Sequence, residues 1–179
     1  MKADLLKKID NSTAHRKPRE ILANHVIQNK ELLPLLVKTA LNPEIESHYK
    51  ACWILEIIFE KHTEWIVDYY TIIKERMGDI SHDGALRSLT KIAMFISENK
   101  KNQPDEEIEL AYIEQCFLWL KNLDKVASKV YAMYALKNFS KKHQWIKNEL
   151  VFIIEKDFNS FSSAYQAAAK MVLKALANA

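Results

Sequence analysis

Residues 124–142 have the sequence Asp-Lys-Val-Ala-Ser-Lys-Val-Tyr-Ala-Met-Tyr-Ala-Leu-Lys-Asn-Phe-Ser-Lys-Lys, and this stretch decides the fold class. Its apolar side chains recur at steps of three and four residues, which places them along one side of a helix. They are Ala127, Val130, Tyr131, Tyr134, Ala135 and Phe139. Because small residues alternate with large ones, the pattern allows other helices to approach this helix closely on more than one side.

Weaker copies of this stretch recur on both sides of it at a nearly constant spacing. Predicted first helices align at Leu35-Leu36, Ile72-Ile73, Phe117-Leu118 and Ile153-Ile154, with offsets of 37, 45 and 36 residues. Predicted second helices align at Tyr49, Arg87, Lys129 and Tyr165, with offsets of 38, 42 and 36 residues. The longest offset coincides with the polar segment 98–104. The spacing therefore predicts four helix pairs over residues 30–177, stacked around one continuous core.

Local signals place the ends of several helices. Asn42-Pro43-Glu44 predicts the start of a helix that runs to Lys61. Gly78 predicts a left-handed residue that ends the next helix, and Asp105-Glu106-Glu107 predicts the start of a later one. Residues 1–29 match no later copy, so they are predicted to form two capping helices. With two Gly and four Pro in 179 residues, the whole chain, 1–179, is predicted to be a single all-α domain.

Residues 129–136, Lys-Val-Tyr-Ala-Met-Tyr-Ala-Leu, resemble the second helix of a HEAT repeat. That family favours a basic residue, small residues three and six positions later, and then Leu. Asp124, five residues before Lys129, matches the Asp that HEAT repeats carry near the turn between helices. The resemblance implies a right-handed α-α superhelix, a HEAT/ARM-like solenoid of about four helix pairs plus two N-terminal helices.

The other copies depart from this family pattern. Asp83 and Arg87 match in part, but Thr90 stands where the family has Ala. Tyr49 and Tyr165 replace the basic residue in the outer pairs. A ladder of Asp and basic side chains is therefore expected only in the middle pairs.

The resemblance also implies a binding surface, because the second helices of HEAT repeats line the concave face of the solenoid. The candidate residues of that face are Tyr49, Arg87, Lys91, Lys129, Lys137, Lys170 and Lys174. A long concave surface binds partners without catalytic geometry. The first hypothesis is therefore a non-enzymatic binding or scaffold module whose partner is another protein or a peptide.

Nucleic-acid binding is the alternative hypothesis. Some bacterial DNA glycosylases that act on alkylated bases are built of HEAT-like repeats, with an Asp and aromatic residues in the groove. Here Tyr49, Trp53 and Tyr131 supply candidate aromatic residues, but no Asp can be assigned. Residues 125–179 hold nine Lys or Arg against three Asp or Glu, whereas residues 39–124 hold nine against sixteen. This acidic middle, which includes Glu56, argues against strong DNA binding.

Enzymatic, metal and cofactor sites have no motif in the sequence. His48 and Cys52 share a helix face, but two ligands fall short of a zinc site. The two glycines, six residues apart, exclude a phosphate-binding glycine loop. The adenylosuccinate-lyase type has a loop of pattern Ser-Ser-x-Met-Pro-x-Lys-x-Asn, whereas Ser162-Ser163 is followed by Ala-Tyr-Gln. No catalytic residue, metal ligand or cofactor is predicted, and lyase activity is not supported.

The cysteines and the hydropathy pattern predict where the protein works. Cys52 and Cys116 lie in apolar helical patterns, as buried free thiols do in a reducing compartment. The N-terminus lacks the apolar run of a signal peptide, and no window of about twenty residues is free of charge. We therefore expect a cytoplasmic protein that does not enter a membrane.

Overall fold

A computed structural model of the protein describes residues 2–178, and no strand occurs in that range. The α-helices are α1 (Lys2–Asp10), α2 (Arg16–Gln28), α3 (Leu33–Ala40), α4 (His48–Lys61), α5 (Tyr70–Arg76), α6 (Asp83–Glu98), α7 (Glu106–Asn122), α8 (Val126–Phe139), α9 (Trp145–Asp157) and α10 (Ser163–Ala177). Short 3-10 helices occur at Lys30–Leu32, Thr63–Tyr69 and Met77–Asp79. The prediction of an all-α fold is confirmed.

The chain divides into two compact units, and the division falls within α6. The first unit ends at Ile92 and the second begins at Ala93.

The first unit is built around α4. This helix packs against α1, α2, α3 and the 3-10 segment Thr63–Tyr69. Its side chains Ile54, Leu55, Ile58 and Phe59 are fully buried. A helix that is apolar nearly all round needs cover on several sides, and these neighbours provide it.

The second unit is built around α8, which comes from the stretch that decides the fold class. α8 packs against α7, α9 and α10. Ala132, Met133, Ala135 and Leu136 are fully buried. The two buried alanines lack bulk beyond Cβ, so they allow a neighbouring helix to come close.

Two predicted helix ends are wrong, and both misplaced signals belong to turns. The side-chain oxygen of Asn42 accepts a hydrogen bond from the Glu44 amide at 3.1 Å, but α4 begins only at His48. An Asx turn makes the same local bond as a helix cap, so the sequence signal cannot separate them. Gly78 lies in the 3-10 helix Met77–Asp79, and no residue in the described range has a positive φ. The prediction that Gly78 is a left-handed residue at a helix end is therefore wrong.

The predicted helix start at Asp105-Glu106-Glu107 is confirmed, because α7 begins at Glu106 and Asp105 is its N-cap. The side chain of Asp105 accepts a hydrogen bond from the amide of Ile108 at 3.1 Å. This bond satisfies one of the amides that a helix start leaves without an internal partner.

Candidate functional site

α8 carries two apolar faces on opposite sides of the helix. One face, with Ala132 and Leu136, is fully buried in the second unit. The other face carries Val130, Tyr131 and Tyr134, which remain half-buried. The stripe predicted from the sequence therefore splits into a core face and an accessible face.

α10 lies beside the accessible face of α8, and the two helices enclose an open groove of about 740 Å³. We call it the α8/α10 groove. Met171, on the α10 side, is 55% exposed. The lining residues, mostly small or aromatic, are Val126, Ala127, Val130, Tyr131, Tyr134, Ser162, Ala164, Ala167, Ala168 and Met171. The alanines between larger side chains leave hollows along the groove.

Lysines flank the α8/α10 groove, while its described lining carries no charge. The Lys137 ammonium lies 5.7 Å from the ring centroid of Tyr134, a lining residue. Lys174 is exposed, three residues after Met171 on α10. Lys170 is also exposed, with its ammonium 5.8 Å from the Phe158 ring centroid. The structure thus places three of the candidate lysines, 137, 170 and 174, on helices that form the groove.

Lys129 lies on the far side of α8 from the groove and is only 2% exposed. Its ammonium donates to the Leu120 carbonyl at 2.6 Å and pairs with Asp157 Oδ2 at 3.1 Å. The ring centroid of Phe161 lies 4.3 Å away. This corrects the expectation that Lys129 belongs to a binding face, because its ammonium is used inside the unit.

Arg87 and Lys91, in the first unit, contact a buried carboxylate. Glu56 on α4 is 3% exposed, and its Oε2 accepts from Ser88 Oγ at 2.7 Å and from Arg87 at 3.3 Å. Lys91 pairs with Glu56 Oε1 at 3.0 Å and with Glu60 at 3.5 Å. Glu56 is therefore not one of the surface acids that would repel DNA, which corrects that part of the sequence argument.

Tyr49 lies in a cluster of rings in the first unit. It stacks on His82, with centroids 4.0 Å apart, and meets the edge of Trp53 at 5.0 Å. Trp53 Nε1 donates to the Gly84 carbonyl at 3.2 Å, and the Arg19 guanidinium lies 5.7 Å from its ring. Tyr49 also lines an open hollow of about 490 Å³, together with Asp10 and Lys50. The binding role predicted for Tyr49 stays a prediction.

Sequence reasoning missed a second buried carboxylate, Glu109, which is 1% exposed. Its Oε1 contacts the Lys142 ammonium at 2.9 Å and His143 Nε2. A signal was present, because Glu56 and Glu109 each interrupt a run of apolar residues on a helix. An acid inside such a run predicts a buried carboxylate with cationic partners.

The residues considered for metal or thiol chemistry are engaged elsewhere. Within residues 2–178, no group of three or more His, Cys, Asp or Glu side chains is placed to hold a metal ion. His48 Nδ1 contacts the Ile45 carbonyl at 3.0 Å, and Cys52 Sγ donates to the Ala40 carbonyl at 3.2 Å. Burial raises the pKa of the Cys52 and Cys116 thiols, which disfavours the thiolate that a nucleophile requires.

No protein-family model, curated protein or solved structure matches the chain. The resemblance to HEAT repeats thus rests on residues 129–136 and on the spacing of the helix pairs. No helix in the described part of the chain is both long enough and apolar enough to cross a bilayer.

Proposed function

We propose that this protein binds another protein without acting on it as an enzyme, and that the α8/α10 groove receives an acidic, amphipathic helix of the partner. The observation that carries the proposal is the groove itself. It is an open groove with an apolar lining and a volume of about 740 Å³, on the helices that hold Lys137, Lys170 and Lys174.

The shape of the groove favours a helical segment. A groove between two packed helices accepts the apolar face of a third, with anchors spaced three and four residues apart. Tyr131, Tyr134 and Met171 form the large contacts, and the alanines between them form the hollows. Tyr and Met both suit such surfaces, since Tyr offers a hydroxyl at its tip and Met adapts its shape.

The charge around the groove favours an acidic partner. Residues 125–179 carry nine Lys or Arg and three Asp or Glu. One of those acids, Asp157, is paired with the buried Lys129. Complementary charge speeds the encounter with the correct partner and disfavours wrong ones. Carboxylates on the outer face of a bound helix would lie near Lys137 and Lys174.

We also propose that the helix pairs belong to a HEAT-like solenoid. Three predicted pairs pack as neighbours, namely α3 with α4, α7 with α8, and α9 with α10. The second helices α8 and α10 of successive pairs also pack together. This is the arrangement that stacked helix pairs produce.

Fluorescence anisotropy with two labelled synthetic peptides tests the proposed function. Both peptides carry Leu along one helical face, and the remaining positions are Glu in one peptide and Lys in the other. We expect the Glu peptide to bind in the micromolar range and the Lys peptide about tenfold or more weakly. Equal binding of the two peptides, or no binding of either, would overturn the proposal.

Matched variants locate the binding site. Met171→Glu places a carboxylate in the groove and is expected to weaken Glu-peptide binding about tenfold or more. Ile21→Glu makes the same change at a similarly exposed site in the first unit, 60% against 55%, and should leave binding intact. If duplex DNA displaced the peptide with a steep salt dependence, the nucleic-acid alternative would take its place.

A further inference from the structure

The second unit exposes a second group of large apolar side chains, away from the lining of the α8/α10 groove. Leu118 on α7 is 51% exposed, and on α9 Trp145 is 51% and Phe152 is 64% exposed. Together with Phe117, these residues form what we call the α7/α9 patch. Contiguous exposed apolar surface of this kind marks an interaction site.

Side-chain contacts join the two helices of the patch. The rings of Phe117 and Trp145 stack with centroids 5.9 Å apart and an interplanar angle of 28°. Lys121 lies 5.6 Å from the Phe117 centroid and pairs with Glu149 at 2.9 Å. An open hollow of about 620 Å³ runs between the helices, next to Leu118. These contacts and the hollow connect Phe117, Leu118 and Trp145 into one surface. Phe152 lies seven residues after Trp145, two turns along the same face of α9.

We propose that a second copy of this chain covers the α7/α9 patch, so that the protein forms a two-fold symmetric dimer. The border of the hollow carries both charge signs, with Glu114 and Glu149 beside Lys121. A two-fold contact brings the same surface of both copies together, so the surface must complement itself. A border of mixed sign meets that need, whereas the lysine-flanked α8/α10 groove would repel its own copy.

The dimensions of the patch suit a stable dimer. α7 has 17 residues and α9 has 13, which correspond to lengths of about 25 and 20 Å. Two helices of these lengths, joined by the Phe117–Trp145 and Lys121–Glu149 contacts, present a face able to bury about 800 Å² per copy, the size of a standard interface. Trp145 and Phe152 are the aromatic anchors that such interfaces concentrate near their centres.

Light scattering coupled to size exclusion, with sedimentation over a range of concentrations, measures the oligomeric state of the full chain. We expect a dimer that dissociates in the micromolar range or tighter and does not grow further. A monomer at every concentration would overturn the proposal. Assemblies larger than two would also overturn it, because a single two-fold contact closes at two copies.

Two variants test whether the patch makes the contact. Trp145→Lys and Phe152→Asp change side chains that are half exposed or more, so the fold should survive, with circular dichroism as the check. Each is expected to give a monomer, while Ile21→Asp should remain a dimer. A dimer that persists in both patch variants contradicts the assignment. If one variant fails to fold, the other still decides.

A cross-control separates this inference from the proposed function. Met171→Glu should lose the Glu peptide and remain a dimer, whereas Phe152→Asp should become a monomer and keep binding the peptide.

Discussion

The central helices of the two units, α4 and α8, each bury one charged side chain, and the two charges have opposite signs. Glu56 on α4 is 3% exposed and Lys129 on α8 is 2% exposed. Glu56, an acceptor, gathers donors from the side chains of Ser88, Arg87 and Lys91. Lys129, a donor, gathers the carboxylate of Asp157 and a main-chain carbonyl. The buried carboxylate is thus paired with hydrogen-bond donors, and the buried ammonium with acceptors.

The two networks differ in how well water can replace a lost partner. Of the cations around Glu56, Arg87 has a side chain that is 40% exposed and Lys91 one that is 12% exposed. Lys129 is surrounded by the unit, and its ionic partner Asp157 is 22% exposed. A charge that water cannot reach is the more costly one to strand. We therefore expect the network around Lys129 to be the less tolerant of the two.

The largest effect is expected from Asp157→Ala, which leaves the buried Lys129 ammonium with the Leu120 carbonyl and the Phe161 ring but without a counter-charge. Its free energy of unfolding should fall by about 3–5 kcal/mol, as when one partner of a buried ion pair is removed. Urea denaturation measures the loss. The double variant Lys129→Met with Asp157→Ala removes both charges and should recover part of it. A single variant as stable as the parent would show that Lys129 is hydrated.

A smaller loss is expected from Glu56→Ala in the first unit. It removes the acceptor for Ser88, Arg87 and Lys91, and water can reach Arg87 in its place. We expect a cost of about 1.5–3 kcal/mol, the range for hydrogen bonds to charged groups. Glu60→Gln is the control, since its side chain is 36% exposed and its ion pairs should contribute less than about 1 kcal/mol. A loss greater than that of Asp157→Ala would reverse the comparison.

The two faces of α8 provide the next comparison. Ala132→Trp forces a large ring into the fully buried face and should cost about 1–3 kcal/mol or more. Ala127→Trp adds the same ring on the exposed face, where we expect a change within about 0.5 kcal/mol. It should also block peptide binding by filling the groove. Melting temperature and anisotropy measure the two effects, and equal destabilisation would contradict the split between the faces.

The smallest effects are expected from changes in pH. In the first unit, His48 should lower the stability of the fold as the pH falls. Burial, and to a lesser degree the nearby His82, lower the pKa of His48 from 6.5, although the Ile45 carbonyl opposes the shift. The unfolded chain then takes up a proton that the folded chain resists. The contribution of His48 to stability is complete above pH 6.5 and declines as the pH falls towards the lowered pKa. Melting curves below and above pH 6.5 should show this decline, and His48→Gln should reduce it.

Tyr165, in the second unit, responds on the alkaline side. Burial, with a smaller effect of Asp157, raises the pKa of Tyr165 from 10.0 to about 12. The folded state therefore favours the neutral phenol, and its contribution to stability is lost as the pH rises from 10.0 towards 12. Tyr165→Phe should remove this loss without harm at neutral pH, because the buried hydroxyl has no hydrogen-bond partner in the described structure. Melting curves of both proteins in that range provide the test.

The sequence predicted the helices better than it predicted their faces. The steps of three and four residues around Tyr131 establish α8 as a helix, but both of its sides are apolar. Periodicity alone therefore could not decide which side meets the core. Lys129 looked like a surface residue because its ionic partner, Asp157, is 28 residues away in the sequence. Only tertiary packing brings the two together.

The sequence identifies lysines on the helices of the candidate groove, but it does not show which lysines are accessible. Lys137, Lys170 and Lys174 were assigned to a binding face, and they lie on the helices of the α8/α10 groove. In the sequence, lysines that are buried or engaged in ion pairs, such as Lys129 and Lys91, cannot be distinguished from exposed lysines. Charge along a sequence shows how many lysines are present, but their accessibility depends on acids contributed by other helices.

The bond between Lys129 and the Leu120 carbonyl has a consequence for helix capping. Leu120 lies in the last turn of α7, where carbonyls run out of amide partners and the helix dipole is negative. An ammonium from the following helix satisfies that end across the turn, and it fixes how α7 and α8 meet. In such helix pairs, a basic residue early in the second helix can thus serve as a cap for the first. Where such a basic residue recurs in a sequence, it then indicates how two helices meet at a turn and gives no information about a ligand.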